Sequence, residues 1–203
     1  MAKQISLSTV KAQLSSFIAK TGSAANAMTT INNSYIEGTQ NEWNTPFAAS
    51  FIDGLVGTFN DYIQQFNSKY QEGVDEFVSG VNTLAESEDA DPVPAQTVQQ
   101  ITELSKSWVG QPEDFNIPDD FGSFTESNLT ANIENFTSIL DEMQTCIDTA
   151  VDSGLSGEFC TGLKQALASL KNSATSVAQQ YSKEYAAQAV EEDTSIQSIK
   201  SAT

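Results

Sequence analysis

Leu7, Val10, Leu14, Phe17, Thr21, Ala24, Met28, Ile31 and Tyr35 recur at alternating steps of three and four residues. That spacing keeps one face of an α-helix continuous over many turns, whereas a strand turns its faces every second residue and cannot use it. Gly38 predicts where this run stops, and the polar residues Thr39 to Glu42 lead into Trp43 and Asn44. Thr45 and Pro46 then predict a restart: a hydroxyl caps the free amides of a first turn, and proline's fixed φ suits the first helical position. Phe47, Phe51, Leu55, Phe59, Tyr62, Phe66, Tyr70, Phe77, Val81 and Leu84 carry the second run. Residues 1–90 therefore read as one helical hairpin.

The pattern recurs. From near Asn128, Leu129, Ile133, Phe136, Leu140, Met143, Ile147 and Ala150 again step by fours and threes, and Asp152 to Gly157 form a short turn with Ser156 as a cap. Phe159, Leu163, Leu167, Leu170, Ala174, Val177, Tyr181 and Tyr185 make the return. One constant offset lays Trp43 on Leu155, Phe47 on Phe159, Phe51 on Leu163 and Leu55 on Leu167, and the register is lost where Phe59 meets Lys171. Any two amphipathic helices can be slid until some apolar positions coincide, but here a turn sits at both centres. A helix pair has an apolar face it cannot bury alone, and two pairs in one chain can bury theirs on each other. The expected fold is all-α: two antiparallel helical hairpins forming a four-helix bundle. The divisions are hairpin 1 (1–90), a connector (91–124) and hairpin 2 (125–203).

In the connector, Pro92, Pro94, Pro112 and Pro118 interrupt the helical pattern, and the stretch from Pro94 to Lys106 is expected to form a short extra helix. Trp108 would end that helix with its indole against the bundle. Glu113, Asp114, Asp119 and Asp120 supply the oxygen density of a calcium loop without the ligand order or terminal glutamate of an EF-hand, so no metal is expected.

Unit length, Trp43 in the central turn, Phe47 and Phe51 one and two turns after it, and long amphipathic helices on either side resemble the WXG superfamily. These are helical-hairpin proteins exported by ESX, or type VII, secretion systems of Gram-positive bacteria and mycobacteria. The resemblance covers residues 1 to about 90. Trp43-Asn44 is followed by Thr45 where the family has glycine, and Leu155-Ser156-Gly157 keeps the glycine and lacks the tryptophan. A literal Trp-x-Gly at Trp108-Val109-Gly110 runs into Gln111-Pro112, which cannot open a returning helix. The family's export signal, a tyrosine followed four residues later by an acidic residue, is missing: Tyr181 meets Tyr185, Tyr185 meets Ala189 and Tyr70 meets Val74.

The resemblance implies a secreted substrate or helical targeting partner of a type VII system, exported without a cleavable signal peptide. Its partners would be the secretion machinery or a co-secreted effector. Partner-binding residues would be Trp43, Phe47 and Phe51 with Leu155, Gly157 and Phe159 as counterparts. Trp43 either docks a partner or plugs the hairpin end. In the family two separate hairpins associate antiparallel; here the second could stand in for the partner, giving a monomeric pseudo-dimer, with a homodimer as the alternative. Two other classes stay open: a cytoplasmic chaperone-like or structural coiled-coil protein, and a secreted helical toxin.

Composition narrows the rest. The formal net charge is -18, with nine basic residues, all lysine, and no histidine. Nucleic acid is not an expected partner, because phosphate neutralisation needs clustered lysine or arginine, and a basic membrane-binding face is equally absent. No run is long and apolar enough to be an integral membrane segment, and the first thirty or so residues read as an amphipathic helix rather than a leader. Without histidine there is no Ser-His or Cys-His couple, and paired acids such as Glu191 and Glu192 lie on a polar stretch with nothing to raise their pKa. No enzyme activity, metal or cofactor is expected. Cys146 and Cys160 stand equidistant from Ser153, so a tight hairpin puts them at one height. They would form a disulfide if both face inward, although helix axes lie about 8–10 Å apart and the bond needs Cα atoms within about 7 Å. The alternative is two buried free thiols.

Overall fold

The computed structural model describes residues 6–42, 46–103, 121–155 and 158–202. Four α-helices account for most of them: α1 (Leu7–Glu42), α2 (Pro46–Ser87), α3 (Phe121–Asp152) and α4 (Glu158–Ala202). The fold is all-α, with no strand among the described residues, and no described helix is long and apolar enough to cross a membrane.

The seams expected from spacing are the buried faces. On α1 they are Val10, Leu14, Phe17, Thr21, Ala24, Met28 and Ile31; on α3, Ile133, Phe136, Leu140, Met143, Ile147 and Ala150. The buried face of α2 is wider, with Val56, Ile63, Val74 and Val78 joining Phe66, Tyr70, Phe77 and Val81, while Tyr62 and Leu84 sit half-buried at its margin. Two helix bounds differ from expectation. α1 continues through Gly38 to Glu42, since one interior glycine costs a helix only about 1 kcal/mol and propagation along an established helix absorbs it. α3 starts at Phe121, ahead of the Asn128 region. Pro46 is the first residue of α2, as its fixed φ predicts.

α1 lies against α2 and α3, and α4 against α3 and α2. Neighbours run antiparallel. The Ser6 N–H at the start of α1 donates to the Ser153 carbonyl just past the end of α3 (2.9 Å), and further along Lys20 pairs with Glu142. Lys164 with Asp148 and Lys171 with Asp141 fix the same sense for α3 and α4. Phe66 of α2 meets Phe136 of α3 edge to face across the interior at 5.5 Å, and Phe17 of α1 meets Phe77 of α2 likewise at 5.5 Å. Aromatic pairs of this geometry contribute about 0.5–1.5 kcal/mol beyond their burial.

Two helix ends carry the same stop. After α3, the Leu155 N–H bonds the Ala150 carbonyl (3.0 Å) and Gly154 N–H bonds Val151 (3.1 Å), with Gly154 at φ 113°. After α2, Ala90 N–H reaches Ala85 (2.9 Å) and Asp89 N–H reaches Glu86 (3.3 Å), with Asp89 at φ 52°. Both are Schellman caps, which satisfy carbonyls the helix leaves open and need one left-handed residue.

The connector overturns one expectation. Within 94–103 there is no extra helix: the chain is non-helical from Ala90 through Glu103 and lies as an extended strap along α1 and α2. Pro92 and Pro94 cannot donate main-chain hydrogen bonds, and a helix this short is marginal unless packing holds it. Side chains of α2 instead satisfy the strap's polar groups and its aliphatic residues enter the core, so the extended form wins. Residues 104–106 of the expected helix, Trp108 and the acidic run 113–120 lie outside the described residues.

Candidate functional site

The C-terminal ends of α1 and α3 lie at opposite ends of the helix stack, because α1 is antiparallel to α3. Leu155 is 1 % exposed. Its N–H completes the cap of α3 and its side chain joins the core beside the start of α1, so it seals this end. Trp43 and Gly157 lie outside the described residues. Phe47, Phe51 and Phe159 are helical, on α2 and α4, and their side chains lie outside what the structure describes. Of the proposed partner-binding set, only Leu155 is placed in atomic detail, and it packs inward.

Cys146 is a buried free thiol on α3. The side chain of Cys160 is outside the described set. Burial pushes the Cys146 thiol pKa up, against a smaller lowering from Lys20, so the thiolate that would attack a disulfide or a reagent is scarce. No described group of histidine, cysteine or acidic residues has the arrangement of a metal site.

A feature that spacing alone did not expose is the strap's seat. Asn82 Nδ2 donates to the Val93 carbonyl (3.0 Å) while Val93 N–H donates to Asn82 Oδ1 (2.6 Å). Asn67 treats Ile101 identically: Nδ2 to the carbonyl at 3.0 Å and N–H to Oδ1 at 2.8 Å. Between them Gln71 Nε2 donates to the Gln96 carbonyl (2.9 Å) while Val98 N–H donates to Gln71 Oε1 (3.1 Å). Gln64 closes the row on the Glu103 carboxylate at 2.9 Å. Asn67, Gln71 and Asn82 each present one donor and one acceptor to the strap's main chain, as a neighbouring strand would, so α2 reads the strap as a sheet edge reads an added strand.

The register follows from elementary dimensions. Val93 to Ile101 matches Asn82 to Asn67, so eight strap steps cover the length of fifteen helical ones. An extended chain rises about 3.3 Å per residue and a helix 1.5 Å, close to that ratio. From the α1 side Lys11 Nζ donates to the Asp91 carbonyl (2.7 Å), and Gln99 Nε2 donates to Asn26 Oδ1 (2.8 Å). A Cβ built on Gly22 would sit 3.4 Å from Gln99, so that wall is in contact with the strap. Val98 and Ile101, 4 % and 3 % exposed, point into the core, and Val93 packs on it half-buried. The strap thus occupies the groove between α1 and α2.

The sequence does carry a trace of this seat. Gln64, Asn67, Gln71 and Asn82 fall on one helical face, at steps of three, four and eleven, beside the apolar seam. Asp75 shares that face and accepts from Gln71 Nε2 at 2.8 Å, so the stripe is rich in amides without being free of charge.

A second, shallower groove of about 540 Å³ lies where α4 stands beside α2, lined by Asp61, Tyr62, Gln65, Phe66, Lys69, Ala166 and Ser169 among others. The chain matches no known protein family, no curated protein and no solved structure.

Proposed function

We propose that the chain is a secreted substrate or helical targeting partner of a type VII secretion system, acting through protein contacts rather than chemistry. The observation that carries this reading is the antiparallel seating of α3 on α1, tied by Ser6 to Ser153 at one end and by Lys20 to Glu142 further along. In this proposal the four helices form one four-helix bundle, and hairpin 2 takes the place that a separate hairpin takes in the WXG superfamily. The Trp43 turn supplies the sequence resemblance, and the strongly acidic composition suits a surface that stays soluble during export.

The test is export. Epitope-tagged chain expressed in a type VII-bearing host is expected in the culture medium, and absent from it when the system's ATPase is deleted. Equal cytoplasmic retention in both strains would overturn the reading. Trp43→Ala separates docking from packing: lost export with unchanged helicity and melting assigns Trp43 to a partner, and parallel loss of both assigns it to the hairpin end.

A further inference from the structure

We propose that the groove between α1 and α2 is a peptide-binding site that reads main chain, that the strap 91–103 is its resident occupant, and that its partner is an extended, net-basic polypeptide segment with two aliphatic side chains three residues apart.

The recognising groups are indifferent to most of the occupant's sequence. Asn67, Gln71 and Asn82 address only N–H and carbonyl groups. Side chains are selected at the two positions held by Val98 and Ile101, and proline is excluded where Val93, Val98 and Ile101 donate. This is the division of labour in strand addition, where the main chain supplies affinity and pockets for alternate side chains supply choice. The resident's outer side stays in water: Pro94, Ala95, Thr97, Gln100 and Thr102 are exposed. Among the described residues, no second layer locks it down.

Charge decides the class of competitor. The strap enters through an open hollow lined by Asn82, Glu86, Asp89 and Asp91, where three carboxylates outnumber the Lys11 ammonium that reaches the Asp91 carbonyl from α1. Asp75 lies against the Gln71 clamp, accepting from its Nε2 at 2.8 Å, and Glu103 closes the far end. The resident is therefore an acidic ligand on an acidic wall, in a chain of net charge -18. It holds its seat through the tether, which keeps its effective concentration high. A partner segment with lysine or arginine at the two ends exchanges repulsion for attraction and offsets that advantage.

The experiment uses the full chain and fluorescent peptides spanning 91–103. One peptide has the native sequence, a second carries D91K and E103K, and a third adds V98P and I101P to the second. Fluorescence anisotropy is expected to show saturable binding of the basic peptide, about tenfold or more tighter than the native one, and loss of binding for the proline version. Hydrogen exchange at Val93, Val98 and Ile101 of the protein should rise as the basic peptide binds. A second chain, V98D/I101D, weakens the resident and leaves the α2 amides intact; with its helicity checked by circular dichroism, it should bind the basic peptide more tightly than the native chain does. Absence of saturable binding to the native chain at millimolar peptide overturns the proposal. So does binding that ignores the proline replacements, which would mark simple ion exchange with an acidic surface.

Discussion

At the scale of single residues, three positions turn the geometry into numbers. Asp89 holds the left-handed conformation that ends α2, where the equivalent stop after α3 uses Gly154. A non-glycine residue pays about 1–2 kcal/mol for that region, part of which a short polar side chain recovers. Asp89→Gly is expected to stabilise the chain by about 0.5–1 kcal/mol, seen as a rise of roughly 1–4 °C in Tm. Tyr70 is buried, stacked on Phe66 at 6.1 Å, and its hydroxyl has no hydrogen-bond partner among the described residues. Burial pushes its pKa well above the tyrosine range. Above pH 10 or so the unfolded chain releases this proton and the folded chain keeps it, so the folded state binds more protons and stability falls as pH rises. The group's contribution to that fall is about 1.4 kcal/mol per pH unit. Tyr70→Phe should be neutral or stabilising at pH 7 and should flatten the alkaline limb of a denaturant-midpoint profile between pH 10 and 12. Cys146 is buried on α3, and both sequence alternatives, a disulfide or a buried thiol, require that. Whether it pairs with Cys160 was not legible in the sequence, because spacing gives the height of a side chain on a hairpin and leaves its rotation open.

At the scale of elements, the strap and α2 form the unit to perturb. Ile101 is buried and Val93 half-buried, so their amide partners differ in consequence. Removing a partner from a buried main-chain group costs about 1–3 kcal/mol, and less where water can replace it. Asn67→Ala is therefore expected to cost about 2 kcal/mol and Asn82→Ala about 1 kcal/mol in urea-unfolding midpoints. Faster hydrogen exchange at Ile101 in Asn67→Ala, with α3 amides unchanged, would localise the effect. Equal costs for the two variants would mean that burial does not set the strength of these clamps. The helices themselves were readable from period alone, since the α1 and α3 seams coincide with their buried faces. The strap was not. Val98 and Ile101, three apart, fit a helical turn as well as an extended chain that tucks two side chains into a groove, and only the amide stripe on α2 separates the two.

At the scale of the whole molecule, two terms govern assembly. Phe66 and Phe136 join the hairpins through the interior. Phe136→Ala should cost about 3–5 kcal/mol, and a double-mutant cycle with Phe66→Ala should return a coupling of about 0.5–1.5 kcal/mol; a coupling near zero would mean the hairpins pack independently at this point. The second term is charge. Lys20, Lys164 and Lys171 bridge α3 to its neighbours, but these pairs are largely exposed and each contributes little. Repulsion within a chain of net charge -18 is the larger effect. Raising sodium chloride from 20 to about 300 mM is expected to raise Tm, because screening relieves more repulsion than it removes attraction. A fall in Tm would show the three bridges to dominate. Light scattering after size exclusion should give a compact monomer near 21.9 kDa if the second hairpin satisfies the first.

Period alone determined that the chain is helical and where the seams of α1 and α3 lie, because each of these is a property of spacing along the chain. Tertiary structure decided which helices are neighbours, that Leu155 seals an end of the stack, and that the connector is an extended strap. Those outcomes depend on which surfaces meet: the strap's main-chain groups had a choice between bonding one another in a short helix and bonding the amides of α2, and only the α1–α2 groove, with its core contacts for Val98 and Ile101, settles that choice.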